Sequence, residues 1–345
     1  MSRAPQLRQR RQADQAESAP DARNDQGAQQ AILPRLQAQR RRIRSWEGDV
    51  LHVPQRRAAS KNLHRAIAGL AAIALALGAQ LPALGQSPKR LLFLTHAALY
   101  KHTSLGPAEQ AVIALGKANG FAVTTVEGYK QDATQLDFSF LTPDYLAQFD
   151  GVMMMTNGNL PFTDAQKKNL LDFVRSGKGF IGAHCASLTF YDYPEFGEML
   201  GGYFQRNLPQ GTIAVLKVED TRHPATRMLG SSWPLVDEFY VFGSAPWHES
   251  RPADNIDVLF KNKIPMGFTR DRVKVLLSLD TNAMDLSQQP NLVKGGDYPQ
   301  AWTRDYGKGR SFYTSLGHRD DIWSSDPVFR AHITGGIRWA LGLEQ

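Results

Sequence analysis

From Lys89 onward, short apolar runs alternate with amphipathic stretches. Leu91-Leu92-Phe93-Leu94-Thr95 is a continuous apolar run of the kind found in strands buried on both faces, and Pro107 opens a helical stretch through Leu115. The same order returns, with residues 121–126 read as strand, 141–148 as short helix, 152–155 as strand, 164–175 as helix and 180–183 as strand. Alternation of this kind predicts a mostly parallel sheet covered by helices on both faces. Beyond Gly202 the pattern changes. Residues 212–218, 239–242, 258–261, 273–279, 301–304 and 311–315 read as strands with little helix between them, several pairing antiparallel. Tyr306-Gly307-Lys308-Gly309-Arg310 predicts a turn between the last two, because glycines supply the positive φ that a tight turn needs. A last helix is expected from Pro327 to about Leu341, and the domain shows no internal repeat and no low-complexity segment.

The first 85 residues follow neither rhythm. Of the 40 Lys/Arg and 33 Asp/Glu in the chain, 14 and 6 fall before residue 66, which leaves 26 and 27 in the rest. The formal charge of +7 is therefore a property of the tail, and it gives no ground for nucleic-acid binding by the near-neutral domain. Residues 1–60 read as a disordered extension or as the result of a misassigned start, with the true start near residues 50–53. Residues 61–85 read as a signal peptide. Arg56, Arg57, Lys61 and Arg65 flank the apolar run 66–79, and Ala83-Leu84-Gly85 offers a cleavage site near Gly85. That run is too short to span a bilayer comfortably, so no stable membrane span is expected in the mature protein, with an uncleaved anchor as the alternative. The expected location is periplasmic or secreted. The sole cysteine, Cys185, excludes an internal disulfide, so the folded domain, residues 88–343, must tolerate export without one.

Seven of the nine histidines lie in that domain, and most sit where a strand run ends: His96 and His102 after the first, His184 after the fourth, His318 after the last. Strand C-termini are where doubly wound sheets place ligands. Gly182-Ala183-His184-Cys185-Ala186 has the small residues of a nucleophile elbow. Laid on the Gly-x-Cys-x-Gly of class I glutamine amidotransferases, it puts His184 in the nucleophile's place and Cys185 one position late, so amidotransferase chemistry is disfavoured. Asp220-Thr221-Arg222-His223 and Asp237-Glu238-Phe239-Tyr240 add an imidazole and carboxylates that, with His184 or His318, could bind a divalent metal or pair a base with its orienting carboxylate. No fixed metal-ligand spacing occurs, so the cofactor stays open with a divalent metal as the candidate. His318-Arg319-Asp320 ends the final strand. Aromatics including Tyr240, Trp302 and Trp323 flank these motifs and could stack on sugar rings, although any one of them reads first as packing.

Together these residues resemble the ThuA-like, or trehalose-utilisation, family. The match spans about residues 90–342, and its most specific block is Ala301-Trp302-Thr303-Arg304-Asp305-Tyr306-Gly307-Lys308-Gly309-Arg310-Ser311-Phe312-Tyr313-Thr314-Ser315-Leu316-Gly317-His318. Gly179-Phe180-Ile181-Gly182-Ala183-His184, Leu200-Gly201-Gly202-Tyr203-Phe204, His223-Pro224-Ala225-Thr226 and Asp237-Glu238-Phe239-Tyr240 support it. The resemblance implies an α/β fold, flavodoxin-like and class I glutamine amidotransferase-like, mostly parallel with added antiparallel strands in the C-terminal half. One departure stands out: where the family shows a His-Pro pair after Gly-Gly-Tyr-Phe, this chain has Gln205-Arg206-Asn207-Leu208-Pro209.

The resemblance also implies carbohydrate metabolism on disaccharides or keto-sugars, with a small carbohydrate as partner; it sets no oligomeric state. Two readings follow. In the first, the chain is an exported enzyme, hydrolase- or lyase-type, on a sugar derivative, with His184 and His318 as acid/base or metal-binding groups and Asp320 or Glu238 orienting them. His102, His223, Tyr240, Trp302 and Trp323 would line the pocket. In the second, the same scaffold is a non-catalytic carbohydrate-binding or accessory protein.

Overall fold

A computed structural model describes residues 87–243 and 245–345; the predicted extension and signal peptide lie outside these residues. Its central feature is a nine-stranded sheet. Strands β1 (Lys89–Leu94), β2 (Phe121–Thr125), β3 (Gly151–Met154), β5 (Gly179–Ala183) and β13 (Gly309–Thr314) run parallel in the order β2-β1-β3-β5-β13. This is the flavodoxin-like strand order. The sheet continues antiparallel through β12 (Pro299–Tyr306), β11 (Lys274–Leu279), β8 (Thr212–Val218) and β9 (Ser232–Asp237). Two small pairs stand outside it, β4 (Asn157–Gly158) with β6 (Leu188–Thr189), and β7 (Phe204–Asn207) with β10 (Tyr240–Phe242).

The helices follow from local chemistry. α1 (Leu105–Asn119) stops at Gly120, whose φ of 77° suits glycine. α3 (Asp164–Arg175) starts on a capping box in which Thr163 and Gln166 satisfy each other's backbone N–H groups. α2 (Pro143–Leu146) and α4 (Pro194–Leu200) begin on proline. α7 (Pro327–Ala340) is capped by Asp326, which accepts from the amides of Val328 and Phe329 at 2.9 and 3.1 Å. Because both faces of the parallel half are covered, Leu91, Leu92, Phe93, Val152, Met153, Met154, Phe180 and Ile181 are entirely buried. Among the described residues no helix is long and apolar enough to cross a membrane.

Several segments differ from expectation. Residues 258–261 belong to a helix, α5 (Asn255–Lys261), started by Asp254, whose carboxylate accepts from Ile256 N at 2.9 Å. A four-residue apolar run does not separate strand from helix, and the cap decides it. Strand β9 was masked by Pro234, which normally argues against a strand. Here β9 is the sheet's outer edge, where a missing N–H need not break the ladder. The helix α6 (Asp320–Ser325) was also unforeseen; it directly follows His318.

Candidate functional site

The C-terminal ends of β1, β5 and β13 deliver three histidines to one place. His184 leaves β5 in a left-handed turn (φ 47°), the elbow geometry anticipated from the small residues around it. Its carbonyl is held by the Tyr313 hydroxyl at 2.8 Å. Its Nδ1 lies 2.7 Å from Ser315 O. A carbonyl only accepts, so Nδ1 carries the proton and Nε2 presents a lone pair. That lone pair meets the Tyr240 hydroxyl at 3.0 Å, His318 Nδ1 at 3.3 Å and Glu238 Oε2 at 3.4 Å.

His318 is fixed by its backbone. Asp237, fully buried at the end of β9, accepts from Gly317 N at 2.8 Å and Arg319 N at 3.2 Å, bracketing the histidine on both sides. Gly317 takes φ 125°, which a side chain would resist, and its carbonyl accepts from Trp323 Nε1 at 2.9 Å. Glu238 Oε2 then sits 3.1 Å from His318 Nδ1, while its Oε1 accepts from Asn207 Nδ2 at 2.7 Å. His102 comes from the β1–α1 loop, which Asn157 pins by accepting from Leu99 N and Tyr100 N and donating to Tyr100 O. The His102 ring stands edge-on to His184 and His318, with centroids 4.8 and 5.4 Å away.

Burial sets the charge states. With a smaller push from the neighbouring histidines, it lowers the pKa of His184 well below the ordinary imidazole value and that of His102 to about 4. Both rings are neutral at pH 7. Burial would lower His318 too, but the hydrogen bond and charge of Glu238, with Asp237 and Asp320, outweigh it and raise its pKa. The Asp237 carboxyl is pushed up to about 6 by burial, against the pull of the amides it binds.

The structure brings together His102, His184, Glu238, Tyr240 and His318. Of the other expected residues, Asp320 lines the cleft beside His318, and His223, Trp302 and Trp323 lie apart. Asp320 is exposed at the start of α6 and accepts from Thr103 Oγ1 at 2.7 Å, so the carboxylate that meets the imidazoles is Glu238. His223 packs on Trp339 with Nδ1 accepting from Ala225 N at 3.1 Å, away from the histidine group. Trp302 is wholly buried, donating to Leu200 O at 2.8 Å with its ring against Tyr313, and Trp323 is wholly buried behind the His318 loop. Neither tryptophan has a free face for a sugar. Cys185 is fully buried and its thiol is pushed up to about 12, which leaves no thiolate for amidotransferase chemistry.

Two residues contributing to the site went unread in the sequence. Asn207, which orients Glu238, lies within the segment that departs from the family's His-Pro pattern, and only the β7–β10 register opposite Tyr240 places it here. Gln300, fully buried on β12, accepts from Tyr240 N at 3.3 Å and donates to Tyr240 O at 2.9 Å, tying β10 to the main sheet. Above the group, an open cleft of about 410 Å³ is lined by Thr103, Gln210, Gly211, His318, Arg319 and Asp320. That is within the roughly 300–1,000 Å³ usual for small-ligand sites. A cleft of about 380 Å³ lies at the opposite ends of the strands, but its Lys89 and Lys178 are paired with Asp150 and its Arg310 caps the end of α7, so these three cations serve the scaffold.

The strand order and the left-handed residue at the elbow after β5 fit the class I glutamine amidotransferase-like superfamily, to which the ThuA family belongs, here with histidine in place of the nucleophile. Residues 90–340 match the family described as ThuA: Trehalose utilisation, and the chain belongs to that family. Membership implies a role in carbohydrate metabolism. Among solved structures, a ThuA-like protein from Bacteroides uniformis is 23% identical with a TM-score of 0.53, the match covering 74% of this chain and 92% of that one. A second, from Parabacteroides merdae, is 19% identical with a TM-score of 0.50 over 74% and 91% of the two chains. These likenesses bear on the fold. No curated protein matches the chain.

Proposed function

We propose that the protein is an exported enzyme that cleaves an oxidised disaccharide or related keto-sugar by acid/base chemistry centred on His318. The observation that carries this reading is the convergence of His184, Glu238, Tyr240 and His318 directly beneath a sugar-sized cleft. His318 is the member that reaches the cleft, since His184 is entirely buried and Glu238 and Tyr240 nearly so. Glu238 holds His318 Nδ1 and thereby sets which ring nitrogen faces the substrate.

A ketone acidifies the C–H beside it. His318 takes that proton, the electron pair forms the enolate, and the enolate expels the glycosidic oxygen at the β carbon as the C–O bond breaks. The proton now on His318 passes to the leaving oxygen, so an alcohol and an unsaturated keto-sugar result with atoms balanced. His184, holding the Tyr240 hydroxyl and bordering Glu238, keeps this pair aligned.

The test is turnover of a keto-disaccharide by wild type, His184→Ala and His318→Ala, each checked for fold by circular dichroism. Losses of about 10²-fold or more in both folded variants are expected, on the scale of positioned acid/base groups. Full activity in both contradicts the assignment. The non-catalytic reading draws on Gln205-Arg206-Asn207-Leu208-Pro209, where the family pattern has a His-Pro pair. Sugar binding without turnover by wild type would favour it. Export rests on the apolar run 66–79 and its basic flank. A shortened form in the periplasm or medium is expected on fractionation, and a full-length cytoplasmic form contradicts it.

A further inference from the structure

We propose that His102, His184, Glu238 and His318 form a binding site for one divalent transition-metal ion. One donor atom from each lies within 4.8 Å of all the others. Donors arranged tetrahedrally at about 2.1 Å from one ion lie roughly 3.4 Å apart. Three of the separations already match: His318 Nδ1 to Glu238 Oε2 is 3.1 Å, His184 Nε2 to His318 Nδ1 is 3.3 Å, and His184 Nε2 to Glu238 Oε2 is 3.4 Å. His102 supplies the fourth corner with a small side-chain shift.

The His184 lone pair, a Glu238 carboxylate oxygen and His318 Nδ1 all face one point, with the Tyr240 hydroxyl beside the lone pair as its hydrogen-bond donor. His102 offers one ring nitrogen to the same group. A cation at the centre would be shared by all four side chains. The surroundings also have the form of a metal site's outer shell: Ser315 O orients His184, and Asn207 orients Glu238 through the oxygen not facing the histidines. Three imidazoles and one carboxylate, without thiolate, suit zinc, iron, cobalt, nickel or manganese over calcium or magnesium. An ion would also engage His184, which is buried too deeply for a sugar to touch.

The inference uses the residues of the proposed reaction and does not depend on the sugar; an ion on His318 Nδ1 would leave the ring proton on Nε2, so the ion-loaded form is not the form in which His318 acts as base. Tag-free full-length protein, stripped by chelator and dialysed against Zn²⁺ or Mn²⁺, is assayed for metal by mass spectrometry and for its melting temperature. One ion per chain and a raised Tm are expected. Affinity should fall at least tenfold in His102→Ala and in Glu238→Gln, while the exposed His248→Ala retains the ion. If these variants do not fold, Asn207→Ala carries the test, with a tenfold to hundredfold loss expected. Wild type without a bound ion, or undiminished affinity in every folded variant, overturns the proposal. Metal bound in the absence of any turnover contradicts only the enzymatic reading.

Discussion

Tyr240 is the side chain whose hydroxyl touches the inward lone pair of His184, and removing that oxygen changes little else. Tyr240→Phe should lower kcat about 10²-fold with KM nearly unchanged, and cost about 1–2 kcal/mol in stability, because one buried nitrogen loses a donor. Steady-state kinetics and urea denaturation check both halves, and unchanged kcat contradicts the role. Asp237 works through the backbone. Asp237→Ala leaves two amides without their carboxylate, at about 1–3 kcal/mol each if they stay buried, and frees the His318 loop. A loss of roughly 2–5 kcal/mol is expected by urea denaturation, and a change below 1 kcal/mol would show that the loop holds itself. His102, His184, Glu238, Tyr240 and His318 were legible in the sequence because they end apolar runs or sit in family motifs. His223, Trp302 and Trp323 looked equivalent there, since a sequence does not say toward which layer a side chain turns. Asn207 and Gln300 were invisible for the opposite reason: their roles arise from pairings between strands far apart in the chain.

At the level of elements, the site depends on how closely β13 and its covering helix α7 approach their neighbours. Gly335 lies in α7, where alanine is ordinarily favoured over glycine by about 1 kcal/mol. Here a Cβ would lie 2.2 Å from the backbone oxygen of Pro224. The clash involves backbone on both sides, so overpacking at about 1–3 kcal/mol outweighs the propensity gain. Gly335→Ala should therefore lower the denaturation midpoint, and a higher midpoint would mean that the helix can slide. The parallel half of the fold was readable because strands buried on both faces produce unmistakable apolar runs. α5 and β9 were not, since one hinged on a single capping carboxylate and the other carried a proline tolerated only at an edge.

For the whole molecule, acid is the telling stress. Burial lowers the pKa of His96, His223 and His332 from 6.5 to about 4 in each case. The unfolded chain accepts protons below pH 6.5 that the folded chain refuses, so this stability is complete above 6.5 and drains as pH falls toward 4. At about 1.4 kcal/mol per pH unit each histidine is worth about 3 kcal/mol by pH 4. Three such groups rival the 5–15 kcal/mol that holds a typical domain folded. Tm should stay flat from pH 8 to 7 and drop steeply between 6 and 4.5, with a shallower slope in His332→Gln; equal slopes would contradict this origin. The same burial of imidazoles recurs at the strand ends, where sheet order and the elbow at His184 gather groups from the two ends of the domain. The most direct measurement of what they do is a crystal structure of the domain soaked with a keto-disaccharide. The sugar should occupy the cleft beside Thr103 and Asp320 with its carbonyl-bearing carbons nearest His318. Density for the sugar at the opposite edge of the sheet, beside Lys89 and Lys308, would contradict the account.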